Sequence, residues 1–400
     1  MTVAKIPAGL GQLLFCEQSA WGTPGTPNVA IEAMDIKWAP KRDVLSVNVQ
    51  SVYPGRGPKA VVAGRQGGTL SFKTMLRGGN GAESATSKLL KNCGMTRTNY
   101  ADKLTKITGA TSTTLIALTA DFTAISIGDA VLVKSASTDQ QIRFVTRKQL
   151  ITPDGTHTTL TVAPAFSDTP AASDNLYAID TFYPAQGVPT KYLAFYFYAG
   201  ASATAGTSPY YLLSNCAGIF KLGTTKTGGL PYIEWTFNVD TWVYVGAAAA
   251  TLTTDAFAAG HPLLADKLYI DADAVQVADF GFDPGQNLQS DESTAGINGR
   301  AGWLYAGNEP KVEFTPYFDD AWVSTKYSSL GTFSVLMESI KGVTNAWAIW
   351  VPKCAVSDVA MDDAGNQHVA TKPTLISMDP GLDADSVGPL PRFAIAITSV

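Results

Sequence analysis

Hydrophobic and polar residues alternate strictly along residues 233–240, and similar alternation recurs through much of the chain. Ile233, Trp235, Phe237 and Val239 would share one face of an extended strand, and polar residues would occupy the other face. This period of two is typical of a β-strand with one buried face. Glycine, proline and threonine are abundant between such runs, as expected of short strands joined by turns. The pattern therefore predicts a mainly β fold.

The alternating segments occur twice in the same order, which indicates an internal duplication. Residues 216–240 and 354–379 both begin with Cys-Ala, pass through a glycine-containing turn and end in an apolar run before an aspartate. Three further pairs of segments correspond: residues 31–51 with 275–294, 64–78 with 299–320, and 191–200 with 344–354. Four correspondences in one order are hard to produce by chance. The chain is therefore predicted to contain one β-rich unit built twice.

The two copies differ by an insert at residues 105–180. Short β-rich runs with Gly-Asp and Asp-Gly turn signals predict a small barrel or sandwich there. The predicted organisation is a first unit at 1–104 and 181–250, the inserted module at 105–180, and a second unit at 251–400. A helix is predicted within residues 81–95, where Leu89 and Leu90 would pack inward and Gly94 would end it. The second unit has no equally clear helix pattern.

Composition narrows the possible functions. Of the 400 residues, 46% are hydrophobic and 16% are charged, which is ample for sizeable cores and argues against disorder. The net charge of −5, with no block of lysine and arginine, disfavours tight binding to nucleic acid phosphates. No apolar run reaches the ~18 residues of a membrane span. The first residues do not have the pattern of a signal peptide.

No catalytic or metal-binding motif stands out. The three histidines lie in unrelated contexts, and the glycine-rich segment 54–68 lacks the Gly-Lys-Ser/Thr ending of a phosphate-binding loop. Asp362 and its neighbours lack calcium-loop spacing and are expected in a hairpin turn. The four scattered cysteines are expected to be reduced, buried thiols, and strand tryptophans such as Trp303 are expected in the core or at interfaces. We predict no enzymatic activity, no cofactor and no metal.

Several segments together resemble the major tail tube proteins of long-tailed bacteriophages (siphophages), in a variant with two tandem units. The resemblance is carried by "EQSAWGTPGTP" (17–27), "IEAMDIKW" (31–38), the glycine-rich loop that leads into "GGTLSFKTMLRG" (67–78), the short helix after it, and the hairpin at 216–240. It covers roughly residues 10–100 and 185–245 and, more weakly, 267–400. These motifs are patterns rather than invariant signatures.

This resemblance implies a β-sandwich with a flanking helix that assembles into rings, whose inner strands form one continuous barrel. Stacked rings would make the tail tube through which phage DNA passes. Relatives with two fused units form rings of three chains with pseudo-sixfold symmetry, and some carry a small outer β-barrel that the insert resembles. The implied location is the virion tail, assembled in the host bacterial cytoplasm. The implied partners are other copies of the chain and the tape measure, terminator and distal tail proteins, with no membrane.

The resemblance also implies two groups of interface residues. The glycine-rich loop 54–68 and its counterpart 285–301 would contact neighbouring rings, with the candidates Gly55, Arg56, Lys59, Arg65, Asn287 and Arg300. Polar alternates of the inner strands would line the lumen, with the candidates Ser71, Lys73, Lys311, Glu313 and Thr315. A neutral to acidic lining would let DNA slide without specific binding, because the duplex carries one negative charge per ~1.7 Å.

Two other functions remain compatible with the sequence. A capsid-decorating or receptor-binding β-protein would use the insert to recognise a glycan or a protein, but no coiled-coil, collagen-like or shaft repeat is visible. A β-rich hydrolase acting on polysaccharide would need two carboxyl groups facing each other across a groove. Such a spatial pair cannot be recognised from one sequence.

Overall fold

The computed structural model of the chain is built almost entirely of β-strands, which confirms the mainly β prediction. The structure describes residues 11–47, 60–76, 84–98, 104–120, 122, 125–134, 140–150, 155–189, 191–199, 209–223, 231–246, 267–275, 277–294, 297–316, 326–343, 345–363, 369–381 and 390–398. Helical structure in these ranges comprises α1 (Ala85–Lys91), a turn at residues 326–329 and a 3-10 turn at Ile297–Gly299.

The strands are numbered in chain order. Those before the insert are β1 (Gly11–Gln18), β2 (Val29–Ile31), β3 (Met34–Val47), β4 (Ala60–Met75) and β5 (Met95–Thr98). Those of the insert are β6 (Leu104–Lys106), β7 (Gly109–Ala110), β8 (Thr114–Leu118), β9 (Ala130–Lys134), β10 (Gln141–Leu150), β11 (His157–Ala163) and β12 (Asn175–Ala178). The first unit resumes with β13 (Asp180–Pro184), β14 (Tyr192–Ala199), β15 (Tyr210–Gly223), β16 (Tyr232–Val239) and β17 (Thr241–Val245). The second unit contains β18 (Lys267–Ile270), β19 (Asp273–Val275), β20 (Val277–Asp283), β21 (Gln286–Glu292), β22 (Arg300–Asn308), β23 (Lys311–Pro316), β24 (Thr332–Ile340), β25 (Ala346–Asp363), β26 (Val369–Ser377) and β27 (Ala394–Ile397).

The first unit is a sandwich of two antiparallel sheets that share the bent strand β15. One sheet has the order β3–β4–β16–β15 and the other has the order β2–β1–β14–β15–β17. Asn215, with a φ of 58°, lies where β15 passes from one sheet to the other. The rings of Phe72, Phe195 and Phe237 meet between the sheets, with the last two centroids 4.8 Å apart. The alternation seen in the sequence therefore builds this core.

The predicted helix forms as α1 and closes one end of this core. Its N-terminus is capped by Ser84, whose Oγ accepts a hydrogen bond from the Ser87 N–H at 3.1 Å. Leu89 and Leu90 are buried, as predicted. Gly94 has a φ of +69°, and a Cβ there would lie 2.8 Å from the Tyr305 ring. Both the left-handed backbone and the close approach require glycine at this position.

The second unit repeats the same strand order. Its sheets run β20–β23–β26–β25 and β19–β18–β24–β25–β27, with β25 as the bent strand. Cys216 and Cys354 occupy equivalent positions on the two bent strands, where they pair with Leu193 and Phe333. The pairing therefore supports the duplication inferred from the sequence.

One of the four predicted correspondences is wrong. Residues 191–200 do not correspond to residues 344–354, because the counterpart of β14 is β24 and the start of β25 corresponds to the start of β15. These strands are all apolar and buried, so alternation alone does not distinguish them. Only the identity of the paired neighbour does.

The insert forms a separate seven-stranded sheet with its own hydrophobic core. The strand order is β6–β12–β9–β10–β11–β8–β7, and these strands lie within residues 104–178, against the predicted 105–180. The chain leaves the first unit through β5 and returns through β13, and these two strands pair with each other. β13 also pairs with β27, so the returning strand extends a sheet of the second unit.

The insert packs against the second unit and against the returning strand β13. Phe144 stacks on Trp350 with ring centroids 5.1 Å apart. Arg143 Nη1 lies 3.2 Å from Glu338 Oε2, and both side chains are buried. Burial raises the pKa of Glu338, and the positive charge of Arg143 opposes this rise. The insert thus connects the two units through a buried interface.

Candidate assembly surfaces

The two units join edge to edge into one sheet of eight strands, here called the long sheet. Its order is β3–β4–β16–β15–β20–β23–β26–β25. At the joint, Leu222 of β15 pairs with Phe282 of β20. Lys221 Nζ and Asp283 Oδ2 form an ion pair at 2.6 Å across the same joint, and this contact raises the pKa of Lys221. The second unit therefore continues the sheet of the first.

The two outer edges of the long sheet are the counterparts of the two strands that meet at the joint. β3 corresponds to β20, and residues 356–363 of β25 correspond to the second half of β15. In the described part of the chain, β3 pairs only with β4, and residues 356–363 pair only with β26. Open edges carry N–H and C=O groups without a strand partner. By the internal repeat, these two open edges correspond to the two strands that pair with each other at the joint.

One face of the long sheet is polar, while the other is buried in the two sandwiches. Lys73 Nζ lies 3.4 Å from Asp35 Oδ2 and 3.3 Å from Glu234 Oε1, and Lys372 lies 3.8 Å from Glu313. The charged residues identified on this face are Asp35, Lys37, Lys73, Lys221, Glu234, Asp279, Asp283, Lys311, Glu313, Asp358 and Lys372. Lysines and carboxylates nearly balance, so the face carries little net charge.

Four of the five residues predicted to line a lumen are accessible on this polar face. They are Ser71, Lys73, Lys311 and Glu313. Thr315 pairs with Asp279 of the same face, but its side chain is only 6% exposed, so it adds almost nothing to the accessible surface.

A hairpin formed by β21 and β22, here called the docked hairpin, leaves the second unit and packs on the first. The Tyr305 hydroxyl donates to the Gly218 carbonyl at 2.6 Å and lies 2.8 Å from that of Asn92. Trp303 Nε1 donates to the Asn215 carbonyl at 2.7 Å. Both aromatic rings are buried. The hairpin thereby satisfies backbone carbonyls at the end of α1 and along β15.

Two arginine–carboxylate pairs hold the docked hairpin in place. Arg300 Nη1 lies 3.1 Å from Asp240 Oδ1, in a fully buried carboxylate that also accepts a bond from Asn215. Burial raises the pKa of Asp240, against the opposing effect of Asn215 and Arg300. In the second pair, the arginine belongs to the first unit and the carboxylate to the hairpin. Arg65 of β4 donates from Nη1 to Glu292 Oε1 at 2.8 Å and lowers the pKa of Glu292 to about 2.

The residues predicted to contact neighbouring rings have different environments. Arg65 and Arg300 form the two pairs between units of the same chain, and Asn287 is exposed on the docked hairpin. Gly55, Arg56 and Lys59 lie outside the described residues. Contact between rings stays a prediction for this group.

Sequence reasoning did not single out Asn215, Asp240 or Tyr305. Trp303 was expected in a core or at an interface, and it lies at the interface between units. One signal was present: two large aromatic residues, Trp303 and Tyr305, precede Val312 in the second unit, whereas no aromatic residue lies between Ala60 and Leu70 in the first. A difference in residue type between two copies of a repeat marks a place where one copy makes contacts that the other does not.

Among the described residues, no group of three or more His, Cys, Asp or Glu is arranged to hold a metal ion. The four cysteines are free and buried, as predicted, and burial raises the pKa of Cys93 and Cys216.

In the described part of the chain, no helix has the length and apolar character needed to cross a membrane. No family model and no curated protein sequence matches the chain.

Proposed function

We propose that the chain is a structural subunit, without enzymatic activity, that forms closed rings by joining the open edges of the long sheet in successive copies. The internal joint between β15 and β20 carries this proposal, since the counterparts of those strands are the two open edges. Repetition of one heterologous contact gives a ring when the rotation closes. Ring closure would leave the long sheet without an exposed edge.

The resemblance to siphophage tail tube proteins supports a ring of three chains, with six units in pseudo-sixfold arrangement, and a tail tube made of stacked rings. The long sheets would form the inner barrel with the polar face toward the lumen. Near-neutral charge on that face suits DNA that passes without being held, because a basic surface would bind its phosphates. The insert, which packs on the other sheet of the second unit, would lie outside the barrel.

The same resemblance supports a location in the virion tail, after assembly in the cytoplasm of the host bacterium. The partners would be further copies of the chain along the tube, and tape measure, terminator and distal tail proteins inside it or at its ends. These assignments rest on the resemblance and on the open edges together.

Electron microscopy of the purified chain, with solution mass measured over a range of concentrations, tests the proposal. We expect rings or hollow tubes with a three-chain repeat. A chain that stays monomeric at every concentration would overturn it.

Matched charge variants test whether the edges make the contact. The strand register makes Ala360 the equivalent of Lys221 and Ala39 the equivalent of Asp283, and both alanines are exposed. Combining Ala39→Asp with Ala360→Lys should preserve rings, whereas Ala39→Lys with Ala360→Lys should raise the concentration needed for assembly severalfold. Each ion pair or repulsion is worth roughly 0.2–1 kcal/mol. Equal assembly by both variants would place the contact elsewhere.

A further inference from the structure

The docked hairpin has a counterpart in the first unit, formed by residues 41–47 of β3 and 60–66 of β4. It is here called the free arm because, in the described residues, its two strands pair only with each other; Arg65 at its base binds Glu292 of the docked hairpin. The pairs Val44–Ala63 and Leu288–Tyr305 occupy the same register position. Val44 lies six residues after Trp38, and Ala63 lies seven residues before Leu70, which pairs with Trp38. Leu288 and Tyr305 have the same spacing from the equivalent pair, Phe282–Val312. The arm and the hairpin are therefore two copies of one element.

The docked hairpin covers a defined surface of the first unit. Its Tyr305 hydroxyl contacts the carbonyls of Asn92 and Gly218, and its Gln286 side chain donates a hydrogen bond to the Cys93 carbonyl at the end of α1. Leu288 shares a cleft with Asn238 of β16. This surface therefore combines the end of the helix with the neighbouring parts of β15 and β16.

The equivalent surface of the second unit is open and apolar. Leu330, which follows the helical turn at 326–329, is 73% exposed, and Ile376, the register equivalent of Asn238, is 41% exposed. Ile376 pairs with Ala355, which pairs with Thr332, so Ile376 and Leu330 lie at the same end of three neighbouring strands. The exposed apolar residues of this patch, here called the acceptor patch, are Tyr327, Leu330, Ile376 and Met378.

The free arm fits this patch in size and polarity. Val44 is 65% exposed, and Ala63 is exposed at the position where the docked hairpin has Tyr305. Val61 is the register equivalent of Trp303. An arm seated on the patch would therefore bring Val44 and Ala63 to its protruding apolar residues, whereas the internal contact joins large aromatic anchors to backbone carbonyls. Burying these exposed apolar groups against each other would be favourable.

We infer that the free arm of one copy packs on the acceptor patch of the next copy in the ring, as the docked hairpin packs on the first unit within the chain. This inference rests on the proposed ring. The occupant is a second copy because β3 continues directly into the arm, so the chain that pairs with the β3 edge is also the chain within reach of the arm. The contact is continuous with the edge joint and adds buried surface to it.

A cysteine pair tests the inference. Combining Val44→Cys with Ile376→Cys should give crosslinked oligomers between chains on oxidation of the assembled protein. Leu288→Cys with Asn238→Cys, the equivalent pair within one chain, serves as the positive control. Val44→Cys with Leu118→Cys, an exposed position of the insert, serves as the negative control and should not crosslink.

The outcomes separate this inference from the proposed ring. Rings or tubes in which only the control pair within the chain crosslinks would overturn the arm contact and leave the ring intact. A crosslink between Val44→Cys and Ile376→Cys inside a single dilute chain would also overturn it. Absence of any assembly would overturn the proposed function and the arm contact together.

Leu330→Asn provides an independent measurement. Leu330 has a φ of 51°, a conformation that asparagine tolerates better than leucine, so the variant should fold with unchanged or improved stability. We expect the concentration needed for assembly to rise roughly tenfold, since an apolar contact is lost. Leu118→Asn, the matched substitution in the insert, should leave assembly unchanged. Equal assembly by both variants would overturn the role of the patch.

Discussion

The first and second units share one strand order, yet the same surface is covered in one and open in the other. In the first unit, the docked hairpin buries Trp303 and Tyr305 against the end of α1 and the strand β15. In the second unit, the corresponding surface presents Leu330 and Ile376 to solvent. The duplication thus shows a completed contact and an open version of it in a single chain. The completed contact indicates what the open one can bind.

The insert provides a second asymmetry between the units. It interrupts the first unit in the sequence, but Phe144 and Arg143 pack against the second. In the described residues, the two units are therefore connected at four places: the long-sheet joint, the docked hairpin, the pairing of β13 with β27, and the insert. Such connections fix the relative orientation of the units, which would matter for the proposed ring closure.

The largest expected effect comes from removing an anchor of the completed contact. Trp303→Ala should lower the free energy of unfolding by about 3–5 kcal/mol, because a buried indole and its bond to the Asn215 carbonyl are lost. Val44→Ala, at the open counterpart, should change it by less than about 0.5 kcal/mol in the unassembled chain. Denaturant unfolding of the dilute protein measures both. Similar losses in the two variants would contradict the distinction between the covered and the open surface.

A somewhat smaller effect is expected from the contact between the insert and the second unit. Arg143→Met should cost about 3 kcal/mol, since Glu338 is left buried without its cation. Protonation of Glu338 limits the loss, because burial already raises its pKa. The double variant Arg143→Met, Glu338→Met should recover part of the stability, because no unpaired charge then stays buried. A double variant as unstable as the single one would show that the other hydrogen bonds of these two side chains, to Gln141, Ile142 and Ala165, account for the loss.

The smallest effect concerns the exposed pair Arg65–Glu292 and depends on pH. The pKa of Glu292 is lowered to about 2 from an ordinary value of 4.5, so its contribution to stability is present above that ordinary value and is lost as the pH falls toward 2. Wild type should therefore be slightly more stable than Glu292→Gln at pH 7, and the difference should vanish near pH 2. Asp291→Asn controls for the loss of one exposed charge. A difference that is independent of pH would contradict the ion-pair explanation.

The sequence by itself determined the kind of structure and its repetition. Alternation at Ile233, Trp235 and Phe237 encodes a half-buried strand locally, and the recurrence of such segments in one order encodes two similar units. The helix near Leu89 was also predictable, because its capping serine, its apolar pair and its final glycine are neighbours in the sequence. These features depend on residues only a few positions apart.

Only the tertiary structure decided which strands pair and which surfaces are covered. Arg143 and Glu338 are separated by 195 positions, and Arg65 and Glu292 by 227. No local pattern specifies such contacts, which is why the correspondence proposed for residues 191–200 was wrong. Thr315 continues the alternation of Lys311 and Glu313 along β23, yet its side chain is buried. Alternation shows that a strand has a polar face, whereas the neighbouring strands decide whether that face stays exposed.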